Sequence, residues 1–63
     1  MIIKEIFERM WNSVTEDSVK VIELKDGSFV YADRYLIIKE HIYLSYKNDD
    51  TGRIAIKSII RVF

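Results

Sequence analysis

The sequence predicts a mainly β fold with one N-terminal α-helix, a small, strongly bent antiparallel barrel of five strands forming a single domain over residues 1–63. Three observations carry this. Apolar residues recur at helical spacing only over the first dozen positions. From Ser18 onward the period falls to two. Asp26-Gly27 stands between two such alternating runs, where a tight hairpin turn belongs.

The helix is predicted over 2–12, "IIKEIFERMWN", because Ile2, Ile3, Ile6, Phe7, Met10 and Trp11 form one stripe. Lys4, Glu5, Glu8, Arg9 and Asn12 fill the opposite side, and Glu5 and Arg9 stand four apart in the favourable order. "NSVTEDS" then breaks the pattern with residues that prefer caps and turns.

The strands follow at 19–25, 28–38, 41–47, 53–57 and 59–63. The second is longer than an ordinary strand, so a bend or bulge belongs near Ala32-Asp33. In the third, Ile42, Leu44 and Tyr46 face one way, and His41, Tyr43, Ser45 and Lys47 the other. "NDDTG" reads as the next turn. In the closing segment Ile54, Ile56, Ile60 and Val62 share one parity, opposite Arg53, Lys57 and Arg61, and a kink near Lys57-Ser58 divides it into two short strands that let the sheet curl.

Composition limits the function. A chain of 63 residues has room for one core and buries only about 60% of its unfolded surface, so it leans on some form of staple. With no cysteine and a single histidine, His41, disulfides and thiolate metal sites are excluded, and no metal or other cofactor is expected. Homo-oligomerisation is the staple that remains. The start "MIIKE" lacks the apolar run of a secretory signal, and no run approaches the roughly 20 apolar residues of a membrane-spanning helix. The chain is therefore read as soluble and cytoplasmic, with no membrane partner. On the helix, Lys4 and Arg9 cancel Glu5 and Glu8, unlike the basic face of a surface-seeking helix. Covering an open end of the strand body is the plainer role for its stripe.

A helix followed by strongly bent strands, with "VIELKDGS" across the first turn, resembles the Sm-like family of small RNA-binding barrels. Ile22, Leu24, Lys25, Asp26 and Gly27 carry the resemblance in the first strand and turn, Ile42 and Leu44 in the third strand, and Ile56, Ile59 and Val62 in the closing pair. The resemblance implies a ring-forming module that holds single-stranded RNA. The chain departs from the family at the sites that read bases. Ala32 replaces the glycine of the bent strand, Lys39 and Tyr43 fall near the family's Asp and Asn, and Lys57-Ser58 stands for its Arg-Gly. Lys57 still supplies a positive charge, and Tyr43 or His41 an aromatic face.

Catalytic motifs are lacking. Asp49-Asp50 and Glu16-Asp17 fall in predicted turns, where acidic residues are ordinarily solvated, and they offer too few oxygens for calcium. His41 has no adjacent nucleophile in the pattern, and the two glycines, Gly27 and Gly52, form neither a phosphate loop nor a nucleophile elbow. The ten basic and ten acidic residues cancel, yet every acid lies at or before Asp50, whereas Arg53, Lys57 and Arg61 follow it. This basic closing edge, with Tyr31, Tyr35 and Tyr43 on charged strand faces, points to single-stranded RNA or DNA, gripped by cations on phosphates and aromatic rings on bases. The predicted contact residues are Lys57, Arg61, Tyr43, His41 and Arg34. Tyrosine and arginine are equally the residues that protein interfaces favour. An assembly module that docks another protein by strand edges or by the helix therefore stands beside the nucleic-acid reading. A small DNA-binding regulator is a third reading, without a visible helix-turn-helix to support it.

Overall fold

The computed structural model describes residues 3–14 and 19–63. Ile2 of the helical stripe, and Thr15 to Ser18 of the predicted loop with Glu16 and Asp17, lie outside the described residues.

The helix, α1, runs over Lys4–Ser13. Phe7 and Trp11, one turn apart, are its buried residues, whereas Ile3 is 48% exposed. The helix stops where Val14 turns to extended backbone (φ −80°, ψ 113°) and donates its N–H to the carbonyl of Trp11. Ser13 Oγ donates back to the carbonyl of Met10 at 2.8 Å, a side-chain bond that competes with helix continuation.

Strand β1 (Lys20–Leu24) pairs antiparallel with β2 (Phe29–Ala32), bringing Ile22 opposite Val30. The predicted turn at Asp26-Gly27 forms. Gly27 has φ +90°, the left-handed region that a residue without Cβ enters at no steric cost. Its N–H donates to the carbonyl of Leu24 at 3.0 Å. Asp26 Oδ1 accepts from Ser28 Oγ (2.6 Å) and from the Ser28 N–H (2.9 Å), and these bonds hold the carboxyl below its ordinary 3.8, the side-chain bond contributing most.

The long second strand bends at the place the sequence marks, but it breaks there. Ala32 is fully buried, and the N–H of Asp33 donates to the carbonyl of Ser45 at 2.9 Å instead of continuing along β1. Strand β3 (Arg34–Ile38) then pairs with β4 (His41–Tyr46). The inward phase flips across Asp33: Val30 and Ala32 face inward before it, Tyr35 and Ile37 after it. Tyr35, expected on a charged outer face with Tyr31 and Tyr43, is thus turned toward the core.

Strand β5 spans Asp49–Ala55, four residues earlier than its predicted start. The reversal is Lys47-Asn48, both with positive φ (52° and 71°), a two-residue turn that leaves Asp49 free to pair with Tyr46. The β4–β5 register shifts between Leu44 and Ser45, and Tyr46 beyond it is only half-buried. A 3-10 turn over Ile56–Ser58 forms the predicted kink, and β6 (Ile59–Val62) returns to pair with β1. Ile59 and Val62, of opposite parity, are both buried and Ile60 is exposed, because the β1–β6 register shifts between Glu23 and Leu24.

The result is six strands in two antiparallel sheets of three, ordered β2-β1-β6 and β3-β4-β5, rather than a closed five-stranded barrel. The break at Asp33 and the 3-10 turn concentrate into two corners the curvature that a barrel spreads along its strands. One core fills the space between the sheets, built on Phe7, Ile22, Ile42, Leu44 and Ile59. Helix α1 closes it from the side of β6 and β3. Phe7 and Trp11 pack edge-on against Tyr35 at centroid distances of 5.0 and 4.7 Å, and Tyr35 Oη donates to Glu8 Oε2 at 3.4 Å. No helix of the described residues is long and apolar enough to cross a membrane.

Candidate nucleic-acid interface

The second sheet shows water a mixed face. Register sets Leu36 opposite Tyr43, Ile38 opposite His41, and Arg34 opposite Ser45; across the next pair, Tyr43 lies opposite Arg53. Alternation does the sorting. Ile42 and Leu44 of β4 are buried, so His41 and Tyr43 must point out, and Arg34, Leu36 and Ile38 of β3 share their side. Leu36 is 60% exposed and Ile38 48%, against an ordinary expectation of burial for such side chains.

At one end of this face lies a cleft of about 520 Å³, lined by Ile3, Lys4, Lys39, Glu40, His41, Ala55, Ile56 and Lys57. Three chain segments meet there. Lys4 opens α1, Lys39-Glu40 is the turn between β3 and β4, and Lys57 sits in the 3-10 turn. A backbone bond, Ile56 N–H to the Glu40 carbonyl at 2.9 Å, ties the last two together. Lys39 has φ 55°, a left-handed conformation that costs a residue with a side chain about 1–2 kcal/mol. Among the described residues three lysines face one glutamate there. Beside the lysines, Ile3, Ala55 and Ile56 give the lining an apolar part.

Of the five predicted contact residues, Arg34, His41 and Tyr43 share the outer face of β3-β4-β5, and Lys57 borders it beside His41. Arg61 is elsewhere. It lies on the outer side of β2-β1-β6, where its Nε donates to Glu23 Oε1 at 2.7 Å and its guanidinium rests 4.7 Å from the Phe63 ring centroid. The shared odd parity of Lys57 and Arg61 suggests one surface, but the 3-10 turn between them sends them to different ones. Lys4 and Lys39 line the cleft and Arg53 lies opposite Tyr43, although none of the three is among the predicted contact residues. The signal for Lys39 was its position in the tight connection immediately before His41.

A smaller cleft of about 370 Å³ holds Lys25 and Arg53 with Asp26, whose carboxylate is already engaged by Ser28. The outer side of the first sheet carries Phe29, Tyr31 and Phe63, with Phe29 and Phe63 edge-on at 6.2 Å. Among the described residues no three His, Cys, Asp or Glu side chains gather as metal ligands.

No family model, curated protein or solved structure matches the chain.

Proposed function

We propose that the protein is a non-enzymatic, homo-oligomeric module of Sm-like kind that binds single-stranded RNA or DNA with low sequence specificity. The observation that carries the proposal is the meeting of Lys39, His41 and Lys57 at one cleft, contiguous with the exposed ring of Tyr43 and its neighbour Arg53. Cations placed beside aromatic faces are what a strand of stacked bases and phosphates needs, and such a grip reads little sequence because every base has a π-face. The family likeness is supported by the helix followed by a sharply bent strand meander. Oligomerisation is supported by the exposed apolar residues, Leu36, Ile38, Phe29 and Phe63 among them.

The exposed pair Leu36 and Ile38 favours a second reading, an assembly module that docks another protein on the same face. Fluorescence anisotropy of a labelled single-stranded oligonucleotide separates the two. Lys57→Glu replaces attraction by repulsion and weakens binding by about tenfold or more. Arg61→Glu, remote from the cleft, leaves binding within about twofold on the same scale. If Lys57→Glu has no effect, or if the wild-type protein ignores oligonucleotides and is captured by a protein partner through Leu36, the assembly reading replaces this one.

A further inference from the structure

The charge and form of the lysine cleft indicate which part of a strand it holds. Along the interior of a nucleic acid each phosphodiester carries one negative charge and is flanked by sugars on both sides. A terminal phosphate monoester carries about −1.5 to −2 at neutral pH and presents three free oxygens. Among the described residues the cleft offers Lys4, Lys39 and Lys57 around one space, with Glu40 as the opposing carboxylate, and this excess of cations favours a dianion over a monoanion. Lysine ammonium groups are compact point charges on flexible stems, suited to a group with several equivalent oxygens and no fixed plane.

The shape agrees. About 520 Å³ lies within the size range of clefts that hold one small ligand, and Ile3, Ala55 and Ile56 in the lining give a sugar or base an apolar surface beside the lysines. His41 lines the same space from the start of β4, and Tyr43, two residues on, carries the contact out across the sheet.

We infer that this cleft takes the terminal phosphate monoester of a single strand, so that the protein prefers phosphorylated ends over chain interiors. The inference rests on the nucleic-acid reading above and names the group that its central cleft recognises. The strand's 5′ end and its 3′ end can both bear such a group.

The test uses one internally labelled single-stranded oligonucleotide in three forms: 5′-phosphorylated, 3′-phosphorylated, and hydroxyl at both ends. Anisotropy titrations with the wild-type protein at fixed salt should show one phosphorylated form binding about tenfold tighter than the hydroxyl form. The form that wins identifies the end. A Lys39→Gln/Lys57→Gln variant should lose that advantage, and a nucleoside monophosphate should displace the oligonucleotide where the nucleoside does not. The comparison of the three oligonucleotides needs only the wild-type chain, so it stands even if the variant misfolds. Equal binding of all three forms would overturn the end preference while leaving nucleic-acid binding intact. No binding of any form would overturn both.

Discussion

The backbone N–H of Ile56 donates to the carbonyl of Glu40 at 2.9 Å. This one bond crosses from the last corner of the fold to the turn between β3 and β4. It sets Lys57 beside Lys39 and His41, residues 16 or more positions earlier in the chain. The cleft thus follows from two turns held together by main chain, which side-chain substitutions on its rim leave in place.

Phe7→Ala should remove most of the protein's stability. The ring is fully buried and touches both Trp11 and Tyr35. Truncating a buried phenylalanine costs about 3–5 kcal/mol, against roughly 3–9 kcal/mol for a whole domain of this size. Urea unfolding followed by Trp11 fluorescence checks this; a loss below about 1 kcal/mol would show that α1 does not close the core.

Gly27→Ala isolates a backbone effect. A Cβ there meets nothing within 4 Å, so no clash accompanies the change, yet φ is +90°. The expected cost is about 1–2 kcal/mol from conformation alone. Thermal unfolding of the variant reads it, and an unchanged midpoint would mean that the turn relaxes without penalty.

Tyr35 makes stability fall in alkali. Burial, and secondarily the charge of Glu8 and the hydrogen bond to it, push its hydroxyl above the ordinary 10.0. The unfolded chain releases this proton first, so the contribution is fully present below 10.0 and is lost as pH rises through the higher value of the folded state. Glu8→Gln should bring the tyrosinate absorbance midpoint down only part of the way, because burial is the larger cause. A complete return to 10.0 would assign the shift to Glu8 alone.

Much of the fold was legible in the sequence wherever one residue type dictates one conformation. Asp26-Gly27 marks its turn, and the excessive length of 28–38 marks the bend at Ala32-Asp33. Phase was harder to read. Parity counting assumes an unbroken strand, so it puts Tyr35 on the outer face and Ile60 on the side of Val62; the first fails at the Asp33 corner and the second at the register shift in the β1–β6 pairing. The turn before β5 was obscured for a different reason. "NDDTG" is rich in turn-forming residues, but Lys47 and Asn48 take the left-handed conformations, and the aspartates pair as strand. Residue type and alternation alone group His41, Tyr43 and Arg34 on one face, with Lys57 at its border. Lys4 and Lys39 entered the site only because distant turns meet in space, and Arg61 left it because a 3-10 turn separates it from Lys57.

The most direct test is the salt dependence of single-stranded oligonucleotide binding by the wild-type protein, followed by anisotropy. If the cleft's lysines neutralise phosphate, log K should fall as log salt rises, with a slope of about −0.7 for each phosphate contacted. Affinity that stays level as salt rises, or no measurable binding at low salt, would contradict a cationic nucleic-acid cleft.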